Sequence, residues 1–90
     1  MAKINRNAFI PEYATQGSSG LDARIYEDVT IQPDSTVCIG LGIKAELPKG
    51  FEFQVRPRSG LSLRTNLRLP NSPGTIDSDY RGEISIIVEN

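Results

Sequence analysis

Two acidic side chains near the end of the 90-residue sequence have the type and spacing of a general base and its neighbour. Asp77 and Asp79 follow a Pro-Gly turn at 73–74 and precede Tyr80 and a strand-like run that ends at Val88. A carboxylate held at the tip of a strand–turn–strand unit can accept a proton from water in a concave site. The same Asp-Ser-Asp sequence is also typical of a turn in which one aspartate pairs with a nearby arginine. From these residues alone both interpretations stay open.

A second segment, Arg58–Gly60, combines a guanidinium, a hydroxyl and a glycine directly after a predicted strand. Backbone N–H groups beside a glycine let an anion come close, and the arginine adds a charge suited to phosphate or carboxylate. The alternative is a helix cap beside a surface arginine. Asp22, on the polar face of another predicted strand, carries no functional meaning by itself.

The elements that must position these side chains are short strands. Alternating or β-branched residues predict strands at 3–6, 21–26, 29–31, 35–47, 51–56, 67–69 and 83–88. Gly40 and Gly42 predict a bulge or bend within 35–47, and Ser59 is a candidate N-cap for one short helix. No window shows a sustained 3.6-residue apolar repeat. The pattern therefore predicts seven or eight short strands in an antiparallel sandwich or barrel.

Length and composition exclude several classes of function. Ninety residues make one domain, whose modest core makes association an expected supplement. A net charge of −1 and the absence of a signal sequence or long apolar segment favour a cytoplasmic protein that binds neither nucleic acid nor membrane. With one cysteine and no histidine, a protein-only zinc site and a Cys–His nucleophile are excluded. Cys38 is expected in the core as a small apolar side chain.

Three segments taken together resemble the trimeric dUTPases (deoxyuridine triphosphate nucleotidohydrolases). Gly-Leu-Asp at 20–22, Pro-Arg-Ser-Gly-Leu-Ser at 57–62 and the long stretch at 71–84 match the first three of that family's five motifs in order and separation. The connecting sequence at 47–61 is similar to the family as well. The resemblance covers residues 1–90 as a single dUTPase-like domain. It implies an all-β fold, an antiparallel jelly-roll-like barrel of the β-clip type with at most one short helix.

The resemblance also implies an activity, the hydrolysis of dUTP to dUMP and pyrophosphate, which limits uracil in DNA and supplies dUMP. Asp77 would be the base that activates water, and Tyr80 would pack on the deoxyribose and reject ribonucleotides. Mg²⁺ would be held by the phosphates, with Asp22 reaching it through water only. The implied triphosphate-binding residues are Arg58, Ser59 and Gly60. The implied uracil-side residues are Asn71, Gly74, Thr75, Ile76 and Ser85.

The sequence stops at Asn90, before the family's fourth motif and the glycine-rich arm of its fifth. We therefore expect the 90-residue chain alone to be poorly active and its barrel to be incomplete, with sheet neighbours of residues 84–88 in the absent part. The family implies a homotrimer whose active sites are shared between subunits. Three interpretations stay open: part of a longer enzyme, a nucleotide-binding or regulatory paralogue without turnover, and a relative of the dCTP deaminases. Asp77 and Tyr80 disfavour the last.

Overall fold

The computed structural model describes residues 1–90 as a β-rich chain with one short helix. Its elements in order are β1 Ala2–Lys3, β2 Thr36–Gly40, β3 Ile43–Lys44, β4 Phe53–Val55, α1 Ser59–Arg64, β5 Gly74–Ile76 and β6 Ser85–Glu89. The strands form three antiparallel pairs, β1 with β3, β2 with β6, and β4 with β5. The predicted antiparallel all-β class with one short helix is thus confirmed. Nothing helical in the chain has the length and apolar character needed to span a membrane.

The longest ladder joins β2 to β6, with Val37 opposite Val88 and Ile39 opposite Ile86. The apolar run near the end of the sequence is therefore paired along its whole length within this chain. The expectation that the sheet neighbours of residues 84–88 lie in the absent part is therefore wrong for the edge of β6 that faces β2. At the other edge of β6, Glu89 forms a single β-bridge with Arg68. The strand predicted at 67–69 is therefore reduced to this one bridge.

A sharp bend separates β2 from β3, as the two glycines of the segment predict. Gly42 has a φ of 69°, in the left-handed region that favours glycine. A Cβ at Gly42 would lie 2.9 Å from Ala8 Cβ and 2.9 Å from Tyr26 Cε1, so packing also excludes a side chain. The bend therefore lets the N-terminal segment pack directly on the core.

The core is small and lies beside this bend. Its most buried member is Ile43, which is 1% exposed. A folded monomer of 9.9 kDa is expected to expose about 5,200 Å², whereas this chain exposes 6718 Å². The excess of about 1,500 Å² leaves many apolar side chains uncovered. The core cluster consists of Ala8, Leu41, Ile43, Ala45 and Ile84, with Tyr26, Phe53, Ile76 and Ile86 packed against it.

The chain has six strands, and four sequence-based expectations about the fold are wrong. Residues 21–26 make only one bridge, from Asp22 to Glu12, and residues 29–31 make none. Cys38 is exposed, since the register of β2 turns Val37 and Ile39 toward the interior instead. Phe51 is 66% exposed because β4 begins only at Phe53.

Candidate active site

The β4–β5 pair forms one wall of a small cavity. Val55 lies opposite Gly74 and Phe53 opposite Ile76, so the segment after the Ser72-Pro73 turn runs back along a rigid strand. A short turn precedes it, in which the Ser72 N–H donates to the Leu69 carbonyl over 3.1 Å. Backbone groups of β5 are thereby held at fixed spacing.

All five residues that the resemblance assigns to uracil line this cavity. Its volume is about 50 Å³, far below the roughly 300–1,000 Å³ of a complete small-molecule site. The Asn71 amide lies close to the start of β5, since a Cβ at Gly74 would lie only 3.2 Å from Asn71 Nδ2. The cavity therefore suits recognition of one edge of a ligand, as one part of a larger site. Its lining residues are Val55, Leu69, Asn71, Gly74, Thr75, Ile76, Ser85, Ile86 and Ile87.

Asp77, directly after β5, faces a wider groove. The groove holds about 770 Å³ and lies between the loop 77–81 and the turn at 47–52. The loop is closed by the Tyr80 N–H, which donates to the Asp77 carbonyl over 3.1 Å. The Asp77 carboxylate is exposed and makes no hydrogen bond or ion pair within the chain. A free carboxylate at the end of a strand can accept a proton from water.

Arg81 does not pair with Asp79, so that interpretation of the Asp-Ser-Asp segment is wrong. The Arg81 guanidinium donates to the Ser78 carbonyl over 2.6 Å and lies 3.9 Å from the carboxylate of Glu46. Arg81 and Asp79 both line the groove that Asp77 faces, but no ion pair joins them. Both aspartates therefore keep their carboxylates open to solvent.

The Tyr80 ring is held at the surface by its hydroxyl. The hydroxyl donates to the Glu83 carbonyl over 2.6 Å, while 43% of the residue remains exposed. Gly82 leaves room for the ring, since a Cβ there would lie 2.7 Å from Tyr80 Oη. The ring can therefore present a surface to a ligand while the chain fixes its far end.

The Arg58–Gly60 segment forms the start of helix α1. Arg58 is the N-cap residue and makes no side-chain capping bond, while Ser59 is already helical. The prediction of Ser59 as the N-cap is therefore wrong, and its hydroxyl is free for another use. Arg58 Nη1 lies 3.7 Å from Asp22 Oδ2, which brings together two segments far apart in sequence.

The candidate residues thus fall into separate groups within one chain. Asp22 and Arg58 lie together beside Ser59, but no hydrogen bond or ion pair joins this group to Asp77 or Tyr80. The chain contains no group of three or more acidic, histidine or cysteine side chains that could hold a metal ion.

Sequence reasoning missed one residue near the site, Glu83. Its carboxylate Oε2 accepts a hydrogen bond from the Gly42 N–H over 2.8 Å, at the bend between β2 and β3. It also fills the space over Gly40, where a Cβ would lie 2.5 Å from Oε2. The two glycines of the bend were the only sequence signal, because they leave room for an incoming side chain.

Comparison with known proteins identifies the family. The dUTPase family model matches residues 6–90. The deoxyuridine 5'-triphosphate nucleotidohydrolase of Chlamydia caviae is 50% identical over 100% of this chain and 63% of its own length. That of Helicobacter pylori strain P12 is 52% identical over 98% of this chain and 61% of its own length. The chain thus spans 61–63% of the length of these curated relatives.

Solved dUTPase structures share the fold. A mutant dUTPase from phage phi11 of S. aureus, described as coordinating a structural Mg(II) ion, superposes with a TM-score of 0.92. It is 28% identical, over 99% of this chain and 57% of that one. A Staphylococcus bacteriophage 80alpha dUTPase mutant with dUpNHpp gives a TM-score of 0.91 at 28% identity, over 99% of this chain and 52% of that one. On sequence and structure together, the chain belongs to the dUTPase family.

Proposed function

We propose that the protein is a dUTP diphosphatase, which hydrolyses dUTP to dUMP and pyrophosphate. The observation that carries this proposal is the cavity beside β5. It gathers the Asn71 amide, which lies beside Gly74, and the backbone of 74–76, and the next residue, Asp77, presents an unpaired carboxylate. A recognition strand thus leads directly into a candidate base.

Recognition of uracil rests on the rigidity of β5. Its backbone donors and acceptors are fixed by pairing with β4, and the Asn71 amide is packed against Gly74. A site that hydrogen-bonds one base edge leaves buried groups unpaired with another base, which can discriminate by several orders of magnitude. Ser85, on β6, borders the same cavity.

In the proposed reaction, Asp77 takes a proton from the water that attacks the α-phosphorus. The bond from that phosphorus to the bridging oxygen breaks, and pyrophosphate leaves. Arg58, Ser59 and Gly60 bind the triphosphate, and Tyr80 packs on the deoxyribose. Positioning and charge neutralisation account for most of the rate enhancement in such reactions.

Magnesium fits this scheme as an ion held mainly by the substrate. The chain has no cluster of acidic side chains that would form a metal site alone, and Mg²⁺ commonly binds substrate phosphates while keeping several waters. Asp22 would contact those waters, and its ion pair with Arg58, in the proposed triphosphate segment, supports this role. When bound, the ion neutralises charge on the phosphates.

We further propose that the complete site forms between subunits of a homotrimer. The Asp22–Arg58 group and the Asp77–Tyr80 loop do not contact each other within one chain. Phe9, Tyr13 and Ile25 are among the exposed apolar side chains available for contacts between subunits. Analytical ultracentrifugation of the full-length native protein would measure the assembly directly.

Nucleotide binding without turnover is the second candidate. It is favoured by the exposure of Asp77 and Tyr80, because a site open to water weakens the electrostatic interactions that accelerate the reaction. A dCTP deaminase activity has no specific structural support.

Product analysis separates these functions. Full-length native protein would be incubated with Mg²⁺ and either dUTP or dCTP, and pyrophosphate and ammonia would be measured. We expect pyrophosphate from dUTP and neither product at a comparable rate from dCTP. Ammonia from dCTP would identify a deaminase, and nucleotide binding with no product would identify a binding protein.

A further inference from the structure

Glu83 makes two hydrogen bonds that point in different directions. Its backbone carbonyl accepts the Tyr80 hydroxyl over 2.6 Å, and its carboxylate accepts the Gly42 N–H over 2.8 Å. One residue therefore connects the ring at the candidate sugar site to the bend between β2 and β3.

The bend between β2 and β3, to which the Glu83 carboxylate is bonded, is rigid. The Leu41 N–H donates to the Ile84 carbonyl over 2.9 Å, and the Ile84 N–H donates to the Ile43 carbonyl over 2.9 Å. Ile84 and Ile43 are 5% and 1% exposed, so both belong to the core. The backbone next to Glu83 is consequently fixed by buried residues.

Two glycines make the connection sterically possible. A Cβ at Gly40 would lie 2.5 Å from Glu83 Oε2, and a Cβ at Gly82 would lie 2.7 Å from Tyr80 Oη. Neither the carboxylate nor the ring could take its observed position beside a larger residue. The arrangement thus depends on these glycines as well as on Glu83.

We propose that Glu83 is a positioning residue that holds Tyr80 in place, and thereby helps the protein discriminate deoxyribose from ribose substrates. This inference rests on the proposed hydrolysis of dUTP. Tyr80 is 43% exposed, so packing alone does not fix the orientation of its ring. Its hydroxyl bond to Glu83, backed by the core, supplies the constraint. A ring that shifts loses contact with the deoxyribose and leaves space for a 2′-hydroxyl.

The test compares substrate preference in variants of the full-length native protein. The ratio of kcat/KM for dUTP to that for UTP is measured for Glu83→Ala, Glu83→Gln and the control Glu27→Ala. Glu27 is exposed and makes no side-chain hydrogen bond or ion pair. We expect Glu83→Ala to lower the ratio about tenfold, because the Tyr80 ring shifts once the Glu83 backbone loses its carboxylate anchor; one charge-assisted hydrogen bond can support a change of about this size. Glu83→Gln keeps an oxygen acceptor for the Gly42 N–H and should stay within about threefold of the unchanged protein.

Amide exchange at Gly42 and a Tyr80→Phe variant complete the test. Amide exchange at Gly42, followed by NMR, should accelerate in Glu83→Ala, and an unchanged exchange rate overturns the proposed connection. If Glu83→Ala fails to fold, Tyr80→Phe takes its place in the test. It removes the hydroxyl but keeps the ring, and it should also lower the ratio of kcat/KM for dUTP to that for UTP. An unchanged ratio in a folded, active variant overturns the specificity role alone. Absence of dUTP turnover in the unchanged protein refutes the proposed function itself, and the specificity role with it.

Discussion

Replacing Gly74 by alanine tests the cavity beside β5 with a single added atom. The new Cβ would lie 3.2 Å from Asn71 Nδ2 and 3.7 Å from Val55 Cβ. Gly74 is outside the left-handed region, so alanine can adopt its backbone conformation without strain. The contact with Val55 is ordinary, whereas the amide of Asn71 must move by a few tenths of an ångström.

The expected effect is larger on substrate binding than on stability. A neutral hydrogen bond contributes about 0.5–1.5 kcal/mol, so displacing the amide from uracil should raise KM for dUTP about 2- to 12-fold. The free energy of unfolding should change by less than about 1 kcal/mol, because the lower entropy of the unfolded chain offsets the crowding.

Steady-state kinetics and urea unfolding of the same variant check both values. Gly17→Ala is the matched control, since nothing lies within 4 Å of a Cβ there. The reasoning would be refuted by an unchanged KM in Gly74→Ala, or by an equal increase in the control. A loss of stability of more than about 3 kcal/mol would show instead that the position is structural.

Three other outcomes follow from the structure. Gly42→Ala should destabilise the protein by more than about 2 kcal/mol in urea unfolding, because it combines a left-handed φ with two contacts of 2.9 Å. Arg58→Ala should change unfolding by less than about 1 kcal/mol, since its pair with Asp22 is solvent-exposed on the arginine side, yet raise KM for dUTP about tenfold to a hundredfold. The 90-residue chain should release pyrophosphate at least about a hundredfold more slowly than the Chlamydia caviae enzyme, of which it covers 63%, because its site is open to water.

The sequence predicted elements where local chemistry decides the structure. The bend after β2 follows from Gly40 and Gly42, and the helix after Pro57 begins one residue from the predicted position. These features depend on backbone preferences of one or two residues.

Features that depend on distant partners could not be predicted. Residues 21–26 have the alternation of a strand, but alternation does not supply a neighbouring strand, and their backbone makes only one bridge. Cys38 has an apolar sequence context, but its direction is set by the register against Ile87. The link from Glu83 to Gly42 spans residues far apart in sequence and has no local signature.

The candidate site was predicted mainly through family resemblance. The structure places Asn71 and Ser85 at one cavity and Arg58 beside Asp22, although no local pattern connects either pair.

The most direct test of the account is pyrophosphate release from dUTP by the Asp77→Asn variant of the full-length native protein, measured with Mg²⁺ alongside dUTP affinity. The substitution keeps the shape of the side chain and removes its ability to accept a proton. We predict a fall in kcat of about 10²- to 10⁴-fold with dUTP binding retained. Turnover at the rate of the unchanged protein would contradict the assignment of Asp77 as the general base.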